Sequence, residues 1–248
     1  MRVAQQNAKE WATVKFFFDV INYIEDSPYF NNGDSIIMLD TDCIALNSSA
    51  DLFTRVARIN RPVAFITGNV YSADFLFHGL SISALENFFY SLFSCEITIK
   101  DTIGGEFFAF NKNDDLSTFR VNYECIFNDP RGDLITTEEQ ILTMLNAKTK
   151  FVNIDLSIYR IWTAYRNYDV SSDYKRFTFL HLPSEKTTGL SGLFKTLIEI
   201  TPNSFSSDEL DKVIYQHIPL HNPFKLFAFK FINSVKNKIS SLSPKFDF

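Results

Sequence analysis

Between residues 3 and 26 the chain has neither glycine nor proline. Its apolar residues Trp11, Val14, Phe18, Ile21, Tyr23 and Ile24 recur at helical spacing. That pattern predicts a long amphipathic helix, ended by Ser27-Pro28. Asn31-Asn32-Gly33-Asp34 is a turn signal. An apolar run from Ser35 to Leu39 follows, a buried strand that stops at two carboxylates one residue apart, Asp40 and Asp42. Asn47-Ser48-Ser49 predicts the cap of a short helix over 50–59, with Asp51 at its positive end. Pro62 to Thr67 reads as another buried strand, 68–79 as a loop and 83–93 as a helix. Thr102 to Asn111 is an apolar strand opened by Gly104, Gly105 and Glu106. A helix over 115–127 and a loop over 129–133 come next. A further helix runs to Asn146, with Thr136 or Thr137 as N-cap and Glu139 or Gln140 closing a capping box. Residues 151–156 form a predicted strand and 159–166 an aromatic-rich stretch. Arg176 to Leu180 runs apolar into His181, and a helix follows Gly192. In the last segment Phe224, Phe227, Ala228, Phe231, Ile232, Val235 and Ile239 repeat at i, i+3, i+4 and i+7, the stripe of an amphipathic helix.

With 248 residues and 46% apolar content, the chain can bury a full core. The expected organisation is a main domain over 1–205 and a helical extension over 206–248. A net charge of −5 argues against a nucleic-acid binder, which needs a basic face to displace counterions. The tail differs. From 222 onward five lysines stand against one acid, Asp247, so it carries +4 and leaves −9 on the rest. A basic aromatic helix of this kind suits an anionic membrane surface. Cys43, Cys95 and Cys125 are widely spaced and predict neither a disulfide framework nor a zinc ribbon. No apolar run reaches the roughly 18 residues of a membrane span, and the start shows no signal-peptide pattern. The expected location is cytoplasmic, with peripheral attachment to the inner face of a membrane.

Candidate chemistry centres on Asp40 and Asp42. Residues i and i+2 of a strand face one side, and at a strand end both carboxylates can turn toward one hard cation. Such a strand end is expected at the surface, where Asp42 would contribute little packing. The glycines before Glu106 suggest a backbone that something approaches closely.

The apolar run ending in Leu-Asp-x-Asp resembles the DXD motif of the GT-A glycosyltransferases, and the resemblance extends over about residues 5–200. It implies an α/β, Rossmann-like fold with a mixed central sheet flanked by helices, the DXD strand being central. It implies a site for Mn²⁺ or Mg²⁺ made by Asp40, Asp42 and His181, with His181 expected within about 5 to 8 Å of the carboxylates. Lys186, after His181-Leu-Pro-Ser-Glu, matches a lysine that touches the donor diphosphate. Gly104, Gly105, Glu106 and Gln140 are similar in placement to sugar and acceptor contacts. Glu138 and Glu139 resemble the acidic signature beneath the acceptor hydroxyl, a general base in inverting enzymes and an orienting group in retaining ones. The implied activity is transfer of a sugar from a nucleotide-sugar donor to a glycan or lipid-linked acceptor, as in polysaccharide biosynthesis.

Two departures keep other readings open. Only 34 residues precede the strand, where the family places one or two strand-helix units that build the nucleoside pocket, so a truncated or degenerate transferase acting as a binding protein is one alternative. The Gly-x-Lys-Pro-Trp wording of the best-known family is also missing. A haloacid-dehalogenase-type phosphohydrolase is the other alternative. It shares an apolar strand ending in D-x-D, and Thr67 and the Asp114-Asp115 pair match its later motifs in kind. Asp42 is not followed by Gly-Thr, however, and that fold gives His181 no role.

Overall fold

The structure is a computed structural model. It describes residues 12–112, 114–161, 172–185, 189–199 and 207–218 and, in the final segment, Phe224, Phe227, Ala228, Phe231, Ile232, Ser234 and Val235. Lys186, Trp11, the stretch 162–166 and the tail lysines lie outside the described residues. In chain order the elements are α1 (Ala12–Asp26), β1 (Ser35–Leu39), β2 (Cys43–Ala45), α2 (Ala50–Ala57), β3 (Val63–Asn69), β4 (Leu76–Phe77), β5 (Leu80–Ser81), α3 (Ile82–Phe93), β6 (Asp101–Asn111), α4 (Asp114–Asn128), α5 (Glu138–Thr149), β7 (Ile158–Arg160), β8 (Phe179–His181), α6 (Gly189–Glu199) and α7 (Ser207–His217). The fold is mixed α/β. It divides into two compact units: residues 1–40 with 49–155, and residues 41–48 with 156–248.

Unit 1 is built on β6. This strand carries Ile103, Phe107, Phe108 and Phe110, all buried, the near-continuous apolar run of a strand covered on both faces. β1 and β3 pair antiparallel on its two sides, in the order β1-β6-β3. β1 is therefore an edge strand of its sheet among the described residues, not the central strand expected. The physical reason lies in composition, since β1 is short and only half-buried, whereas the glycine-led strand has an apolar run on both faces. The core draws Phe18, Ile21 and Ile24 from α1, Phe119 and Tyr123 from α4, and Ile141, Leu142 and Leu145 from α5. Tyr23, expected on the α1 stripe, is exposed. Much of the chain's phenylalanine is spent here. Phe18 stacks on Tyr123 with centroids 4.3 Å apart, and Phe108 stacks on Phe119 at 5.5 Å and meets Phe151 edge-on at 5.7 Å.

Three local expectations are revised. The stretch 68–79 is not one loop, because β3 runs on to Asn69 and β4 and β5 form a hairpin closed by His78-Gly79. Both turn residues have positive φ, 50° and 86°, as a two-residue turn matched to strand twist requires. The strand over 151–156 reduces to a single parallel bridge between Val63 and Val152. Residues 130–134 wind into a short 3₁₀ turn capped by Asp129. At α5 the capping box is settled as Thr137 with Gln140.

Unit 2 has its own three-stranded sheet in the order β2-β8-β7, with β2 antiparallel and β7 parallel to β8. Ile44, Tyr174, Leu180, Leu182, Leu193, Ile214 and Ile218 form its core. α6 starts at Gly189, one turn earlier than expected, and packs against α7. Gly189 and Gly192 permit that close approach. A Cβ at Gly189 would lie 2.5 Å from Ile218 Cδ1 and 2.9 Å from the His217 carbonyl, and one at Gly192 would lie 2.6 Å from the His217 ring. The described residues of the final segment are helical. No described helix is long and apolar enough to cross a membrane.

Candidate metal centre

In unit 2 the β2–β8 ladder fixes the two residues that matter most. Cys43 pairs with His181, and the Leu182 N–H donates to the Asp42 carbonyl at 3.1 Å. On the other side of β8 the Ile161 N–H donates to the His181 carbonyl at 3.0 Å. With both backbones held this way, His181 Nε2 stands 3.1 Å from Asp42 Oδ1. The two residues belong to adjacent strands of one ladder, which is what brings the side chains together. Asp42 is 1% exposed and His181 4%. The expectation of a surface Asp42 is thus overturned. A carboxylate so withdrawn from water needs a positive or donating partner, and the imidazole is in place to serve. Asp40, two residues earlier in the chain, completes the group: ligand atoms of Asp40, Asp42 and His181 all lie within 4.8 Å of one another. Two carboxylates and an imidazole are a donor set that can hold a divalent cation, the oxygens suiting Mg²⁺ and Mn²⁺ and the nitrogen the transition ions.

In unit 1 the start of α5 gathers the other predicted residues. The backbone N–H of Gly105 donates to Glu139 Oε1 at 3.0 Å, and the second oxygen of Glu139 pairs with His78 Nε2. Glu138 lies over Gly105 so closely that a Cβ there would stand 2.5 Å from Glu138 Oε1. This is the close approach the paired glycines suggest, and the approaching group is a carboxylate of the protein itself. Gly104 and Glu106 are buried in β6, where the Glu106 carbonyl accepts from the Asp40 N–H at 3.0 Å. Gln140 is fully buried. Its amide donates to the carbonyls of Phe77 (3.0 Å) and His78 (3.3 Å) and accepts from the N–H groups of Thr136 and Thr137. The side chain thus ties the β4–β5 hairpin to the start of α5.

His78 is the participant that the sequence analysis missed. The available signal was His-Gly between the apolar pair Leu76-Phe77 and Leu80, a two-residue hairpin pattern. A histidine at positive φ is uncommon, and here the turn aims the ring at Glu139.

Burial pushes the Glu138 carboxyl above its ordinary range. A backbone hydrogen bond opposes the shift, the charges of Glu139 and Asp40 add to it, and His78 opposes it. The sign for stability follows from proton binding. Below the ordinary carboxylate value, about 4.3, Glu138 is neutral in both states. As pH rises from there through the raised folded value, the unfolded chain ionises first and folding is weakened. Glu138→Gln is therefore expected to flatten the fall in melting temperature across that window. Parallel melts at a series of pH values test this, and identical slopes in both proteins would remove the burial effect.

No family model matches the chain, and a search of curated proteins returns no match.

Proposed function

We propose that the protein is a metal-dependent glycosyltransferase of GT-A-like, Rossmann-type architecture that uses a nucleotide-sugar donor and a glycan or lipid-linked acceptor. The observation that carries the reading is the buried Asp42–His181 pair, 3.1 Å apart, with the Asp40 carboxylate within ligand distance. The D-x-D at the end of an apolar strand and a histidine much later in the chain are the ligand types and order that the resemblance implies. Bound there, Mn²⁺ or Mg²⁺ would neutralise the nucleoside diphosphate as it leaves. Lys186, five residues beyond His181, is the candidate for a further positive charge on that diphosphate. Glu138 is the candidate to receive the proton of the acceptor hydroxyl, since a raised carboxyl is nearer the working pH of a general base. Glu139, held by the Gly105 N–H and His78, is the candidate to orient it. Gly104, Gly105 and Glu106 are proposed to line the sugar and acceptor site.

The test is release of nucleoside diphosphate from a panel of uridine, guanosine and cytidine diphosphate sugars, with and without Mn²⁺. Metal-dependent hydrolysis or transfer with at least one donor is the expected result. Tight Mn²⁺ binding without turnover on any donor would favour a degenerate, glycan-binding protein. Release of phosphate from simple phosphomonoesters would favour the dehalogenase-type reading.

A further inference from the structure

The described residues of the final segment present an apolar stripe to solvent. Phe224, Phe227 and Phe231 are 82%, 70% and 63% exposed, and Ile232 and Val235 are exposed too. At about 100° per residue, positions 224, 227, 231 and 235 fall within one narrow arc of a helix. Three exposed phenylalanines in one stripe are costly to leave in water, and a stripe of this kind marks an interaction surface. The sequence interleaves the stripe with Lys225, Lys230, Lys236 and Lys238 and has no acid before Asp247.

Charge decides which partner fits. The tail carries +4 in a protein whose remainder carries −9. A second copy docked through the same stripe would set lysines against lysines across a two-fold axis. A neutral apolar partner would leave the lysines without a counter-charge. An anionic bilayer satisfies both halves, taking the rings into the boundary of headgroups and acyl chains and the ammonium groups onto lipid phosphates. We propose that the stripe of Phe224, Phe227, Phe231 and Val235 is a membrane-surface face that docks this protein on anionic lipid. The proposal does not depend on the glycosyltransferase reading and is tested without any activity.

The experiment is flotation of the full chain with vesicles of pure phosphatidylcholine and of phosphatidylcholine mixed with phosphatidylglycerol. The unaltered protein is expected to float with the anionic vesicles and to stay behind with the neutral ones, losing its binding as salt is raised. Phe227→Ser with Phe231→Ser should weaken partitioning at least about a hundredfold. Lys225→Gln with Lys230→Gln should weaken it about fivefold per lysine. Because the rings are exposed, the melting temperature of the phenylalanine variant should match that of the parent. Equal flotation of parent and variants, equal binding to neutral vesicles, or no flotation at all would overturn the proposal. A dimer that the phenylalanine variant dissolves, or a clear loss of thermal stability in that variant, would overturn it as well, by showing that the stripe belongs to a protein interface.

Discussion

Asp42→Asn is expected to weaken Mn²⁺ binding at least about a hundredfold, the loss typical of disturbing a metal site, and to remove metal-dependent donor turnover with it. The asparagine keeps the shape of the side chain and a polar group facing His181, so the effect reports charge rather than packing. Because Asp42 and His181 are both buried, Asp42→Ala is a different experiment. It removes a buried carboxylate that faces a buried imidazole and should cost about 1 to 3 kcal/mol of stability in addition to the binding loss. Titration calorimetry with Mn²⁺ and thermal melting, run on both variants, separate the two roles. If Asp42→Asn binds Mn²⁺ as tightly as the parent while Asp42→Ala melts lower, the pair is a structural ion pair of unit 2 and the metal centre is lost as an idea.

The second large effect is expected far from any candidate chemistry. Gly189→Ala should destabilise unit 2 by about 1 to 2 kcal/mol, although replacing a helical glycine with alanine ordinarily stabilises by up to about 1 kcal/mol. The contacts decide the sign. The new methyl would lie 2.5 Å from Ile218 Cδ1, 2.7 Å from Glu185 Oε2 and 2.9 Å from the backbone carbonyl of His217. The first two neighbours can swing aside, but the carbonyl moves only with α7, and overpacking of that kind costs about 1 to 3 kcal/mol. A denaturant melt of the variant gives the answer. An unchanged or raised midpoint would mean that α7 does not pack on α6 as described.

What the sequence disclosed, it disclosed through local signals. The periodicity around Phe18, Ile21 and Ile24, the Thr137 cap and the apolar run into Asp40 each rest on neighbours within a few residues, and those elements appear close to where the pattern puts them. The sequence was silent on which strand sits in the middle, because the pairing of β1 with β6 joins residues about 75 positions apart. The burial of Asp42 was hidden for the same reason, since it depends on a ladder formed with β8. His78 escaped notice because a histidine in a turn is ordinary until Glu139 is found beside it. The Asp40, Asp42 and His181 grouping was anticipated only through the family resemblance; spacing alone does not bring position 181 to position 42.

The path of the chain through unit 2 bears on the order of folding. β2 comes from an eight-residue excursion, 41–48, made from within the sequence of unit 1, and its partner β8 is about 140 residues further on. On a ribosome adding about 5 to 20 residues per second, β2 waits on the order of ten seconds for that partner. Unit 1 has all of its strands well before then. Pairings of such sequence separation are slow to form, so Asp42 and His181 meet only when the last sheet closes.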